Sequence, residues 1–260
     1  MEKVIAIQKE EINRRKTSSS LKEMKEKVSS LPSPRDLMNS ISKSGPMALI
    51  AEIKQASPSA GVIRDGVDMG RIALAYQAGG ASAVSVLTEA HFFQGALSHL
   101  RQVREAVSLP VLQKDFIIDP FQIYEGRMAG ADAILLIAAI LDPRQLREFA
   151  ELAGGLALLP LVEVHDEEDL KKISGVDLPL IGINNRNLKT LEVNLETSFG
   201  LIQKISPEAT VISESGIKNR KEVERLQEAG VKGILVGEVL MRAPDPAGKI
   251  RELLGLDLEK

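Results

Sequence analysis

The sequence contains no cysteine, which removes disulfides, thiol nucleophiles and cysteine-ligated metals at once. Tryptophan is also absent, and aromatic residues make up only 3% of the chain. The 3 histidines, His91, His99 and His165, match no metal-ligand spacing such as H-E-x-x-H. The formal net charge is only −3 with the two signs interspersed, so no field of one sign invites nucleic acid. The longest uncharged apolar run, Ala133 to Leu141, falls far short of the roughly 20 residues that cross a bilayer. Residues Met1 to Lys16 alternate charges with Val4, Ile5, Ile7 and Ile12, and lack the apolar centre of a signal peptide. These absences predict a soluble cytoplasmic protein with no membrane and no nucleic acid among its partners.

What is present is a chain of 260 residues, 44% hydrophobic, enough for one large α/β domain or two small ones. Residues 2–30 are charged and periodic, with Ile5, Ile12, Leu21, Met24 and Val28 as candidate buried positions, and predict one or two outer helices. Pro32 and Pro34 break that segment, and Pro34 to Lys43 predicts a short helix. From residue 47 apolar runs alternate with amphipathic stretches. The strands expected are Ala48–Lys54, Ala83–Leu87, Val111–Lys114, Ala133–Ile137, Ala157–Glu163, Leu180–Asn184, Val211–Glu214 and Gly233–Val236. Between and after them lie expected helices at Met69–Ala78, Ala96–Val107, Pro120–Ala129, Pro143–Leu152, Glu167–Ile173, Leu195–Ile205, Arg220–Ala229 and Ala247–Leu254. Asp119-Pro120 and Asp142-Pro143 each set a capping carboxylate before a proline at the first helical position. Ala78-Gly79-Gly80, Ala129-Gly130 and Ala229-Gly230 supply helix stops. Eight such units fit an α/β fold of the (β/α)₈ TIM barrel type. Residues 1–46 are then a helical extension packed on a barrel of residues 47–260, the two forming a single domain. A doubly wound sheet is the alternative, but it rarely runs to eight regular units without a second domain.

A barrel of this kind carries its chemistry at the C-terminal ends of its strands. The stretch Leu49 to Ser59 obeys that demand. Side chains alternate along a strand, so Ile50, Glu52 and Lys54 share one face while Leu49, Ala51 and Ile53 share the other. Ser57-Pro58-Ser59 then breaks the strand. In the third strand Leu112, Lys114 and Phe116 are in phase; in the fifth, Leu159, Leu161 and Glu163. Asn184 with Arg186 ends the sixth strand and Glu214 ends the seventh. A single charge at a strand end is ordinarily a cap or a loop residue, and Asp115, Asp119 and Asp166 are read that way. Glu52, Lys54, Lys114, Glu163, Asn184 and Arg186 together imply a site, because charges facing a barrel interior need partners or a ligand. Ser215-Gly216 and Gly237-Glu238 follow the last two strands, where backbone N–H groups commonly cradle a phosphate.

Four strings then carry a resemblance: Ala51-Glu52-Ile53-Lys54 with Ser57-Pro58-Ser59, Lys114-Asp115-Phe116-Ile117, Asn184-Asn185-Arg186-Asn187-Leu188 and Glu214-Ser215-Gly216-Ile217. In that order, the sequence resembles the indole-3-glycerol phosphate synthase family of tryptophan biosynthesis from about Pro34 to Leu254, and its leader resembles the family's helical extension. The resemblance implies a lyase that closes an indole ring on an anthranilate joined to ribulose 5-phosphate, releasing carbon dioxide and water. It implies neither metal nor organic cofactor, and a small phosphorylated substrate as the partner of a monomer. Lys114 then corresponds to the general acid and Glu163 to the base, with Lys54, Glu52 and Asn184 completing the catalytic set. Arg186 and Glu214 are expected to bind substrate, with Phe93 and Phe116 as apolar walls. Lys54, Ser57, Ser215, Gly216, Gly237 and Glu238 are expected to hold the phosphate. Gln55 and Ala60 stand where a basic residue is frequent in the family, and Ala96 and Val239 where serine is, which bears on affinity more than on chemistry. The alternatives are another phosphate-binding barrel, such as phosphoribosylanthranilate isomerase or the tryptophan synthase α subunit, and a barrel kept as a scaffold. The first calls for a different acid–base set; the second for the loss of Lys114, Glu163 or Lys54, all of which stand.

Overall fold

The structure, a computed structural model, describes residues 2–18, 21–188 and 190–256. Eight parallel strands close on one another in the order β1-β10-β9-β8-β7-β6-β5-β4. They are β1 (Ala48–Ile53), β4 (Ala83–Leu87), β5 (Val111–Lys114), β6 (Ala133–Ile137), β7 (Leu159–Val164), β8 (Leu180–Asn184), β9 (Thr210–Glu214) and β10 (Gly233–Val236). The two remaining strands, β2 (Ala56–Ser57) and β3 (Gly61–Val62), pair antiparallel as a separate small hairpin just after β1. The leader supplies α1 (Glu2–Ser18), α2 (Leu21–Val28) and α3 (Leu37–Ser42). Around the barrel run α4 (Met69–Ala78), α5 (Ala90–Phe93), α6 (Leu97–Ala106), α7 (Pro120–Ala129), α8 (Pro143–Gly155), α9 (Glu167–Ile173), α10 (Glu196–Ile202), α11 (Arg220–Glu228), α12 (Glu238–Arg242) and α13 (Pro246–Leu254). The expected TIM barrel is therefore the fold.

Strand alternation divides the core in two. Leu49, Ala51 and Ile53 of β1 face outward into the layer shared with the helices, where Ile72, Tyr76, Leu100, Ile123 and Leu146 meet them. Ile50 faces inward with Leu112, Leu135, Leu161, Leu180, Ile212 and Leu235, filling the barrel with branched side chains. Leu37 and Ile41 of α3 join that interior cluster and plug its N-terminal end. A third cluster seats the leader on α7, with Ile12, Met24 and Val28 against Phe121 and Tyr124. Leu21, expected among the buried positions, is 38% exposed although it shares a helix face with Met24 and Val28; it is the first residue of α2, at the end of that face.

The capping carboxylates do what their positions imply. Asp119 and Asp142 each accept from the first turn of the following helix, and Gln122 and Gln145 complete reciprocal capping boxes. Asp166 caps α9 in the same way, accepting from Asp169 N–H at 2.9 Å. Asp115 does not cap a helix. Its oxygens accept from Gln8 at 2.6 Å, from its neighbour Phe116 N–H at 2.8 Å, and from Thr88, so it ties helix α1 to the loop after β5. Burial raises its pKa to about 6. The leader thus reaches the strand that bears Lys114, a link that its sequence does not advertise. The fifth barrel strand begins at Leu159 rather than Ala157, because α8 runs on to Gly155 and Ala157 turns the chain with φ +57°.

Candidate active site

A cavity of about 640 Å³ opens at the C-terminal mouth of the barrel. Lys114 ends β5 at its floor, with Nζ 2.9 Å from Glu163 Oε2 and 2.8 Å from Glu214 Oε2. The ammonium side chain is 13% exposed and the two carboxylates 3% and 2%, so all three charges interact with little water between them. Burial works against the charge of Lys114, but Glu163, Glu214 and Glu52 outweigh it and hold the lysine above its ordinary pKa. Burial alone would raise Glu163; Lys114 and His165 reverse that and hold it well below the usual carboxylate range. Glu214 goes the other way. Burial raises it to about 7 despite Lys114, helped by repulsion from Glu163 and Glu52. Two carboxylates on one ammonium are thereby pushed apart, one kept ionised and one titrating near neutrality, which is how a site separates an acid from a base. Beside them Lys54 Nζ lies 2.8 Å from Glu52 Oε1.

The cavity has an apolar side. Phe93 and Phe116 stand with ring centroids 6.1 Å apart and planes tilted by 47°. Leu135, Ile137 and Leu188 extend the same wall. Glu89 holds Phe93 in place by accepting from the N–H groups of His91, Phe92 and Phe93 at the start of α5. Opposite, Asn184 Oδ1 accepts the Arg186 N–H at 3.0 Å, and Arg186 Nη1 donates to the Leu191 carbonyl at 2.9 Å. Asn185 lies beneath them, buried. It donates to Ser213 Oγ and the Glu214 carbonyl, both at 2.9 Å, and so fixes the end of β8 to the end of β9.

At the last two strand ends the backbone turns tightly. Ser215 and Gly216 have φ +68° and +86°, and a side chain on Gly216 would collide with Val193. Left-handed backbone at a residue with a side chain costs of order 1 kcal/mol or more, and such strain gathers at ligand sites. Gly237 lies so close to Glu52 that a Cβ there would meet its carboxylate. Gly182 is required for the same reason beneath Glu214.

Every residue singled out from the sequence lines this cavity except one. Glu52, Lys54, Phe93, Lys114, Phe116, Glu163, Asn184, Arg186, Glu214, Ser215, Gly216, Gly237 and Glu238 come together, while Ser57 does not. Ser57 sits in β2, and its Oγ accepts the Ala60 N–H at 3.1 Å, closing the small hairpin instead. Sequence reasoning passed over Lys218 and Arg242, two cations of the cavity lining beyond the ends of β9 and β10, the second paired with Glu238 at 3.0 Å. The four-residue step from Glu238 to Arg242 was the available signal.

The comparisons agree with this geometry. A family model described as indole-3-glycerol phosphate synthase matches residues 1–253. A protein of that name from Polaromonas naphthalenivorans is 45% identical over 258 residues, covering 98% of each chain. Another, from Desulforamulus reducens, is 42% identical over 255 residues, covering 98% of this chain and 96% of its own. Among solved structures, a tryptophan synthase alpha-subunit from Pyrococcus furiosus has a TM-score of 0.61 at 18% identity, covering 80% of this chain and 98% of its own. A 3-hexulose-6-phosphate synthase has a TM-score of 0.62 at 16% identity, covering 80% and 99%. These two share the barrel alone; the match that spans the sequence and includes the strand-end charges is the closer guide, and by it the chain belongs to the indole-3-glycerol phosphate synthase family.

Proposed function

We propose that the chain closes the indole ring of indole-3-glycerol phosphate with Lys114 as general acid and Glu163 as base. The substrate is 1-(2-carboxyphenylamino)-1-deoxy-D-ribulose 5-phosphate, and the enzyme is a carbon–carbon lyase that releases carbon dioxide and water. The observation that carries the division of roles is the placement of one ammonium, Lys114, between two buried carboxylates of opposite pKa shift.

The phosphate is held at the ends of β9 and β10 by Ser215, Gly216, Gly237 and Glu238, with Lys54 nearby. Phe93 and Phe116 flank the anthranilate ring, and Arg186 offers a guanidinium to its carboxylate. The ring carbon that bears the carboxylate attacks the sugar ketone, and Lys114 protonates the developing alkoxide. Carbon dioxide then departs and leaves its electron pair to the ring. The new hydroxyl leaves as water with a proton from a lysine, Lys114 or Lys54. Glu163 takes the anilino proton, and a proton shift from the adjacent carbon to nitrogen completes the indole. Glu52 orients Lys54, to which it is paired at 2.8 Å, and Asn184 hydrogen-bonds the substrate. Residues 1–46 and the barrel work as one domain, supported by the bond from Gln8 to Asp115 beside the acid. The setting we propose is a cytoplasmic monomer acting on this small phosphorylated molecule, with neither nucleic acid nor membrane. No helix among the described residues is long and apolar enough to cross one.

The absence of tryptophan makes the test direct. With Tyr76 and Tyr124 as the only tyrosines, the protein's own near-ultraviolet emission is weak, and the product brings an indole that no residue supplies. Adding substrate should raise an indole emission that grows with enzyme concentration and is lost in a Lys114→Ala, Glu163→Ala double variant. An unchanged spectrum with folded protein and fresh substrate would rule the reading out.

A further inference from the structure

Glu163 has two oxygens, and the cavity uses one of them. Oε2 accepts from Lys114, while Oε1 lies 3.2 Å from Nε2 of His165, which stands behind the cavity wall with a side chain only 10% exposed. The other ring nitrogen, Nδ1, is 3.2 Å from Asp169 Oδ2, an oxygen that also accepts the His165 N–H at 3.1 Å. Asp169 is buried in the first turn of α9. Its Oδ1 is 3.4 Å from Lys172 Nζ, which in turn donates to the Ala138 carbonyl at 2.8 Å. A carboxylate, an imidazole and a carboxylate thus stand in a row: the outer contact, at Asp169, is within hydrogen-bond geometry, while the inner one, at the proposed base, is an ion-pair contact in which the buried Nε2 makes no aligned hydrogen bond.

The geometry points to His165 as the positioning residue of Glu163: its ring holds Oε1 so that Oε2 stays aimed into the cavity when Lys114 turns to the substrate. This rests on the role given to Glu163 above. A buried carboxylate whose only partner leaves becomes an uncompensated charge, free to rotate or to take up a proton before it is needed. A cation on the side away from the substrate prevents both. Burial disfavours the charged ring, yet Asp169 and Glu163 together raise its pKa to about 9, so the ring is an imidazolium at neutral pH. The charged groups facing it are Glu163, from the strand it follows, and Asp169, backed by Lys172, from α9; Lys114 sits on the far oxygen of Glu163.

The test compares His165→Phe, which keeps a ring and removes both nitrogens, with His165→Gln, which keeps an N–H donor but no charge. His165→Phe should lower kcat roughly 10- to 100-fold while KM stays within about twofold. The acid limb of its kcat profile should move up by about 1 pH unit, because a cation has been taken from beside the base. His165→Gln should recover most of kcat while its acid limb stays displaced. In parallel, the carboxyl carbon of Glu163, followed by ¹³C NMR in the substrate-free enzyme, should titrate at higher pH in both variants. That measurement needs no turnover, so it separates this role from the reaction itself, which fails only if the wild-type chain forms no indole. Should His165→Phe not fold, Asp169→Asn weakens the same imidazolium from its outer end and should shift the Glu163 titration in the same direction. An unmoved titration and an unmoved acid limb, or equal kcat losses in the Phe and Gln variants with no shift, would make His165 a packing residue and overturn the inference.

Discussion

In the proposed mechanism Lys114 is the acid, and its environment tells how it should fail. Held by Glu163 at 2.9 Å and Glu214 at 2.8 Å, its ammonium is fixed in the cavity, where the proposed mechanism needs a donor for the developing alkoxide. Lys114→Ala should therefore lower kcat by at least ~10²–10⁴-fold with little change in substrate affinity, since an acid acts in the transition state. A near-normal kcat with only a raised KM, from steady-state kinetics, would make Lys114 an anchor instead. Glu163→Gln keeps the shape of the side chain but cannot accept a proton. Single-turnover measurements should show carbon dioxide released without matching indole, whereas equal loss of both would put Glu163 earlier in the sequence of steps. At this scale period-two alternation made most of the site legible. It put Glu52, Lys54, Lys114, Glu163 and Glu214 in phase with Ile50, Leu112, Leu161 and Ile212, which the structure buries inside the barrel. His165 is in phase with Glu163 too, but just past the strand end, where alternation no longer dictates direction. Ser57 stands apart from the cavity lining, its hydroxyl engaged by a turn only three residues away.

Among the elements, those with a strong local signal were the ones read most closely. The Asp-Pro caps fixed the starts of α7 and α8 to the residue, because capping and the proline constraint act within a few bonds. The end of α8 was misjudged, since Ala-Gly-Gly allows a helix to continue as readily as to stop. Helices α5 and α12 and the hairpin β2–β3 are too short for any periodicity to show, yet α5 carries Phe93 and α12 begins with Glu238. The loops after β9 and β10 make the corner where we place the phosphate, and they give a prediction of their own. Inorganic phosphate should occupy the space between Ser215-Gly216 and Gly237-Glu238 and should compete with substrate. Non-competitive behaviour in steady-state inhibition, or an anion found elsewhere in phosphate-soaked crystals, would remove this part of the site.

For the whole molecule, the charges that equip the site set a pH dependence of stability. Asp115 and Glu214 have pKa values raised by burial to about 6 and about 7, so each binds a proton more readily folded than unfolded. Their folded-state penalty is relieved as pH falls through those values. His165, raised to about 9 by its two carboxylates, contributes stability that is fully present below the unfolded histidine value and is lost as pH rises through 9. All three push the same way between pH 5.5 and 9. The melting temperature should be higher at the acid end, by on the order of 5 °C. A flat or opposite trend in calorimetry across that window would show that these groups are not held as described.

The pairing of β1 with β10 has a consequence for how the protein comes into being. A ribosome delivers Glu52 early and Gly237, the residue packed against it, only after most of the chain has been made. Until β10 arrives, β1 has an open edge on one side, and the nascent barrel is a curved sheet with two free ends. Lys114, Glu163 and Glu214, with Phe93, Phe116 and Arg186, all precede β10 in the chain, whereas Gly237 and Glu238 follow it. Closing the ring is thus the step that joins the two ends of the proposed site.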